Sequence, residues 1–132
     1  MGLTMYQPKM PKDIRCPLEY AMELFSGRWK SRILCMLFKV PSLRYGEIKK
    51  NLDTISDTVL TSTLKEMMIS KLVERRQFEE VPPRVEYALT EKARELVPKL
   101  QQICKWGSQY HEPDDGIELQ HCQRCTVKTQ DK

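Results

Sequence analysis

RYGEIKKNLDTISDTVLTSTLKEM, from Arg44 to Met67, contains two helical patterns separated by one short break. The first runs from Arg44 to Leu52 and is carried by Ile48 and Leu52, beside Tyr45. The break is Asp53-Thr54-Ile55-Ser56. Ser56 is an N-cap residue, because its hydroxyl can accept a backbone N–H that the helix leaves without a partner. Asp57 follows in the first turn, where negative charge is favoured. The second helix continues to about Ser70. Leu60, Leu64, Met67 and Met68 form its buried face, and Thr58, Thr61, Ser62 and Lys65 lie largely on the other.

Upstream, Met1 to Arg15 contains Pro8 and Pro11, has no sustained period, and reads as an arm. Pro17 suits a first helical position, where a missing N–H costs little. Leu18, Ala21, Met22, Leu24 and Phe25 then give one broad apolar face, which ends at Gly27. A second helix is predicted from about Trp29 to Val40, with Ile33, Leu34, Leu37 and Phe38 at core spacing, and Pro41 stops it. Downstream, Val73–Glu79 and Val85–Leu89 read as two strands. The Glu80-Val81-Pro82-Pro83-Arg84 stretch between them is a hairpin tip or loop, since two prolines cannot sit in paired central strands. Thr90 caps a last helix from about Glu91 to Tyr110. Pro98 inside it predicts a bend or a lost hydrogen bond. Its Ala93, Leu96, Val97, Leu100, Ile103, Cys104 and Trp106 exceed the apolar surface that a small monomer needs. The organisation is an arm over 1–15, one domain over 16–111 and a tail over 112–132. The fold class is mainly α with a small β-hairpin.

Two helices joined by one tight connection have the spacing of a helix-turn-helix, and the hairpin that follows would be its wing. The second helix then enters the major groove of DNA with its N-terminal side chains at base edges. Thr58, Thr61 and Ser62 can each donate and accept, so they read bases permissively. Lys65 suits phosphate or guanine. Arg75, Arg76 and Arg84 on the wing would meet backbone phosphate or the minor groove. Arg44 and Ser56, at the two helix starts, complete the candidate DNA-binding set. The competing reading is a winged helix used only for protein contacts. The same face argues against it, because Thr58 to Lys65 contains no aromatic anchor.

Composition agrees with a single domain of 132 residues. Hydrophobic residues make up 40% and charged residues 30%, which is neither disordered nor fibrous. The charge is uneven. The net of +4 divides into +6 over Met1–His111 and an acidic tail with five acids and three bases. A basic domain attracts phosphate at a distance. No apolar run approaches the roughly 20 residues of a membrane span, and Met1–Lys9 lacks a secretory signal, so the cytoplasm is the expected compartment. No glycine-rich phosphate loop, HExxH or nucleophile-elbow pattern points to an enzyme, and no cofactor is implied.

The chain resembles the HxlR-type winged-helix transcriptional regulators of the MarR-like group. The matching segments are CPLEYAMELFSGRWKSRILCML (Cys16–Leu37), Arg44–Met67, LVERRQFEEVPPRVEYALT (Leu72–Thr90) and CKWGSQY (Cys104–Tyr110). The resemblance implies a homodimer on double-stranded operator DNA near its own or a neighbouring gene, with the first and last helices packing the dimer. Such a dimer can hold a small-molecule effector between the dimer helices and the DNA-binding core. Two departures stand out. Where the family commonly has a glycine before the first wing strand, this chain has Ile69-Ser70-Lys71, so a residue with a side chain must make the turn. Asp57 stands where the family often carries an uncharged or basic residue, and an acid near phosphate costs affinity unless a neighbour neutralises it.

In some proteins of this kind the cysteine before the first helix senses oxidants or electrophiles. Here that residue is Cys16. A helix start favours a thiolate, as does Arg15 beside it. The alternative is that Cys16 is a small residue packed at the dimer seam. Cys35 and Cys104 lie among apolar neighbours and read as core. His121-Cys122-Gln123-Arg124-Cys125 is half of a soft-metal site, with His111 as a distant further ligand. An unligated or redox-active thiol pair is the other reading of Cys122 and Cys125, and no metal is assigned.

Overall fold

A computed structural model describes residues 13–111. The order is α1 (Pro17–Phe25), α2 (Lys30–Phe38), β1 (Leu43–Arg44), α3 (Tyr45–Leu52), α4 (Asp57–Ile69), β2 (Val73–Phe78), β3 (Arg84–Leu89) and α5 (Glu91–Tyr110). The protein is therefore mainly helical with a small antiparallel wing. The strands lie in the order β1-β3-β2, both pairs antiparallel.

The core gathers at helical spacing. Ile33, Leu34 and Leu37 of α2, Ile48 and Leu52 of α3, and Leu60, Leu64 and Met67 of α4 are all buried. Leu72, Val73 and Leu89 bring the base of the hairpin onto this cluster, and Ala93 and Val97 bring α5. Met68, read as buried, is only half-buried. Thr63 is buried instead, because the helix turns its position inward. Arg94 of α5 donates to the Phe38 and Val40 carbonyls at 3.3 and 3.0 Å. It thereby satisfies groups that the end of α2 would leave orphaned.

The two predicted caps form. Ser56 Oγ accepts from Val59 N–H at 3.1 Å, and Thr90 Oγ1 accepts from Ala93 N–H at 3.2 Å. The turn after α4 is made by Lys71, with φ 65°. Leu72 N–H donates to the Met67 carbonyl at 2.8 Å and Lys71 N–H to that of Met68 at 3.1 Å, the two bonds of a Schellman ending. A lysine thus holds the left-handed position that usually favours glycine. Thr90 Oγ1 donates to the Lys71 carbonyl at 2.6 Å and Lys92 Nζ to that of Ser70 at 2.8 Å, so the start of α5 braces the turn. Pro98 lies within a continuous α5, on its exposed side.

Three further sequence expectations need correction. Arg44 is not the first residue of a helix: it ends β1, opposite Glu86, and precedes α3 as its N-cap. A two-residue strand has no period of its own and exists only through its partner. Arg84 is not at the hairpin tip but begins β3, opposite Phe78. Cys104 is not core but exposed. The apolar stripe of α5 runs beyond the body of the single chain, and Ile103, Trp106 and Tyr110 on it are exposed as well. Cys35 is half-buried. No helix among the described residues is long and apolar enough to cross a membrane.

Candidate nucleic-acid interface

The connection from α3 to α4 is a tight turn. Asp53 has φ 69° and ψ −71°, and Thr54 N–H donates to the Leu52 carbonyl at 2.7 Å, which is a γ-turn. Lys49 Nζ reaches across to the Ile55 carbonyl at 3.2 Å. Behind α4, Lys30 of α2 pairs with Glu66 at 2.8 Å. The helix is therefore set by its buried leucines on one side and tied at both ends. Its outer face presents Asp57, Thr58, Thr61, Ser62 and Lys65, all exposed. The four residues picked from the sequence do share one face.

Their hydrogen bonds differ in kind. Ser56 is exposed but its oxygen is engaged in the cap. Ser62 Oγ donates to the Val59 carbonyl at 3.1 Å. Thr61 Oγ1 lies 3.4 Å from the Tyr45 hydroxyl. Tyr45 Oη donates to Asp57 Oδ1 at 2.7 Å. The sequence puts Tyr45 beside Ile48 and Leu52, and it does pack against the core, but no local pattern gives it a role at this face. The only available signal was an acid in the first turn of α4, with nothing to say which donor would meet it. The contact with Thr61 pulls the Tyr45 phenol toward the phenolate. Burial and the Asp57 carboxylate together outweigh that pull and hold its pKa above the usual 10.0, so the phenol keeps its proton at neutral pH.

The wing arginines divide between two faces, because strand side chains alternate. Arg75 stands on the face of Val73 and Gln77, with NH1 3.4 Å from Gln77 Oε1. Arg76 and Arg84 stand on the other. Arg76 donates from Nε and NH2 to Glu74 Oε2 at 2.9 and 2.7 Å. Arg84 is half-buried and stacks on the Phe78 ring at 4.3 Å. It lies 3.2 Å from Glu80, and its Nε is 3.0 Å from Glu86 Oε2, out of line for a hydrogen bond. Strand register places Glu86 between Arg44 and Arg76 in one row across the sheet, and Ser42 donates to the same carboxylate. Arg44 itself is exposed, and its backbone N–H donates to Glu47 Oε1 at 2.9 Å.

Cys16 is the N-cap of α1 and is exposed. Its thiol makes no cap hydrogen bond, and its carbonyl accepts from Tyr20 N–H at 3.1 Å. Among the described residues no group of three or more His, Cys, Asp or Glu is placed to hold a metal. His121, Cys122 and Cys125 lie outside the described residues.

Comparison with known proteins agrees with this geometry. The HxlR-like helix-turn-helix family pattern matches residues 24–115. An uncharacterised HTH-type transcriptional regulator of Methanothermobacter thermautotrophicus is 43% identical over 103 residues, covering 76% of this chain and 78% of that one. The transcriptional regulator YodB of B. subtilis, in its reduced form, superposes with a TM-score of 0.67 at 33% identity, covering 77% of this chain and all of that one. The redox regulator HypR, in its oxidised form, superposes with a TM-score of 0.66 at 31% identity, covering 74% of this chain and 99% of that one. The family is regulatory, not enzymatic. With α3 and α4 forming the helix-turn-helix, β2 and β3 its wing, and the family pattern running through both, the chain belongs to the HxlR-like helix-turn-helix transcriptional regulators.

Proposed function

We propose that this protein is a sequence-specific regulator that binds operator DNA as a homodimer, with residues 16–111 as the functional unit. The observation that carries the proposal is the outer face of α4: an exposed run of hydroxyls and one lysine on a helix held rigidly by its buried side. In this reading Thr58, Thr61, Ser62 and Lys65 enter the major groove, and Ser56 and Arg44 lie near the backbone. Arg75, Arg76 and Arg84 approach phosphate or the minor groove. Fluorescence anisotropy with a labelled fragment of the neighbouring promoter tests it. Saturable binding that outlasts a large excess of unrelated duplex is expected, and equal affinity for both duplexes refutes specific reading.

The dimer rests on α1 and the end of α5. No residue of α1 is fully buried, and its Leu18, Tyr20 and Met22 are exposed, as are Ile103, Trp106 and Tyr110 of α5. Such an apolar area is large for a monomer. Two-fold symmetry would set two recognition helices about 34 Å apart, one turn of DNA. Light scattering is expected to give about twice the 15.6 kDa chain mass, and Trp106→Glu to return the monomer. A wild-type monomer at micromolar concentration removes this geometry.

Two regulatory inputs fit the same arrangement. A cleft of about 230 Å³, with Ala21, Leu24 and Phe25 of α1 facing Leu72 and Leu96, is also lined by Lys92, Glu95 and Lys99, and in this reading takes a small effector. In this reading oxidation of Cys16, which is exposed beside Leu18, changes the spacing of the two half-sites. Relatives named as a redox regulator in oxidised form and a regulator in reduced form support that role. Operator affinity should fall after diamide in wild type and persist in Cys16→Ser. Loss that survives Cys16→Ser assigns the switch elsewhere, with the Cys122→Ser/Cys125→Ser pair as the next test.

A further inference from the structure

From the proton inventory of the α4 face we infer that Tyr45 and Asp57 make Thr61 a hydrogen-bond acceptor toward DNA, so that it selects a base bearing an amino group, adenine or cytosine. The inference rests on the proposal that α4 reads the major groove. A threonine hydroxyl has one proton and two lone pairs, and alone it can meet any base edge. Here its choice is restricted by a neighbour. Tyr45 also has one proton. Its oxygen is 2.7 Å from Asp57 Oδ1 and 3.4 Å from Thr61 Oγ1. The nearer, charged acceptor takes the proton, since charge-assisted hydrogen bonds are the stronger kind. Tyr45 then has only lone pairs to offer Thr61, so the Thr61 proton points to Tyr45. What remains for DNA are Thr61 lone pairs. In the major groove these match adenine N6 or cytosine N4, and they oppose guanine O6 and N7 and thymine O4.

The neighbouring hydroxyls provide an internal comparison. The Ser62 proton goes to the Val59 carbonyl within its own helix turn, an arrangement that one side-chain rotation undoes. The Thr61 arrangement bridges α3 and α4 and is anchored by a carboxylate. Asp57 thus has a use at this face: it fixes the direction of a hydrogen-bond chain. Tyr45 acts through Thr61 and is a positioning residue.

Selection from a randomised duplex library with the full-length chain, followed by affinity measurements on single-base variants, tests this. One position per half-site should favour adenine or cytosine by about fivefold to tenfold, within the usual cost of one mismatch. That position is identified as the one where Thr61→Ala loses its preference. Tyr45→Phe keeps the ring but removes the anchored acceptor, and the preference should fall below about twofold. Asp57→Ala keeps the tyrosine but removes the near, charged acceptor, leaving the Tyr45 proton the residue-57 carbonyl and Thr61, each at 3.4 Å, and should broaden the same position. Asp57→Asn retains an acceptor oxygen and should preserve the preference. Circular dichroism confirms that each variant is folded, and the two broadening variants act on different elements. A wild-type preference for thymine or guanine at that position overturns the inference. So does an unchanged preference in folded Tyr45→Phe and Asp57→Ala. A wild-type chain that selects no sequence defeats the DNA reading itself, and the inference with it.

Discussion

The outer face of α4 and the β2–β3 wing both carry residues suited to DNA, yet their polar groups are arranged in opposite ways. On α4 the hydroxyls are exposed and their partners are uncharged: a helix carbonyl, a capped N–H, a tyrosine. On the wing each arginine has a neighbour close by, a carboxylate for Arg76 and Arg84 and an amide for Arg75. Between Val73 and Leu89 there are three arginines and four glutamates, so the wing as a whole is slightly acidic. A phosphate meeting Arg84 or Arg76 must compete with a glutamate already there. Counting cations along a hairpin therefore overstates its attraction for DNA. The difference also separates two tasks under the proposed function: the helix offers hydroxyls for direct base reading, and the wing offers a contact that depends on exchange of ion-pair partners.

Removing the shared foundation should have the largest effect. Leu64 is 2% exposed and lies under α4 in the common core. Leu64→Ala should lower stability by about 3–5 kcal/mol, measured by urea denaturation. A loss below about 1 kcal/mol would mean that α4 does not pack on this core.

Next is Arg84→Ala. It should weaken binding to operator and unrelated duplex alike and reduce the slope of log affinity against log salt by about one, if Arg84 meets one phosphate. Because Glu80 and Glu86 stay behind, the further change Glu86→Gln in that background should recover part of the affinity. An unchanged slope places Arg84 wholly within the structure of the wing.

Thr61→Ala should act in the contrasting manner. Preference among operator variants should change several-fold while the salt slope stays as it was. Equal loss on all duplexes would erase the distinction between the two regions. The smallest effect is expected at Lys71, which joins them. With φ 65° it occupies a conformation that disfavours side chains, and Lys71→Gly should stabilise the fold by about 0.5–1 kcal/mol, read as a higher Tm. Destabilisation would show that the lysine side chain contributes more than its backbone strain costs.

Much of this architecture is legible along the chain, for identifiable reasons. Helical periodicity puts Leu60, Leu64 and Met67 on one side of α4 and Thr58, Thr61, Ser62 and Lys65 on the other, and no distant residue is needed to see it. Ser56 and Thr90 identify helix starts because their hydroxyls act within three residues. Pro82 and Pro83 exclude a paired strand because they lack N–H groups. The absence of glycine at Ile69-Ser70-Lys71 requires a left-handed residue with a side chain, and Lys71 is that residue.

Other features depend on residues far apart in sequence, and local pattern cannot supply them. β1 exists because Leu43 and Arg44 meet Tyr87 and Glu86. The state of Arg84 depends on how Phe78, Glu80 and Glu86 surround it in the hairpin. Cys104 follows the apolar stripe of α5 as periodicity demands, but exposure depends on what covers the stripe, and within one chain the core ends before it. The Tyr45–Asp57 contact spans the turn between two helices, and its geometry follows from the angle at which they pack. The helices, the caps and the outer face of α4 are already written in the local pattern, since these arise from interactions over a few residues. Which neighbour each hydroxyl and each arginine meets follows from how the elements pack, because hydrogen bonds and ion pairs act over a few ångströms of space, whatever the distance along the chain.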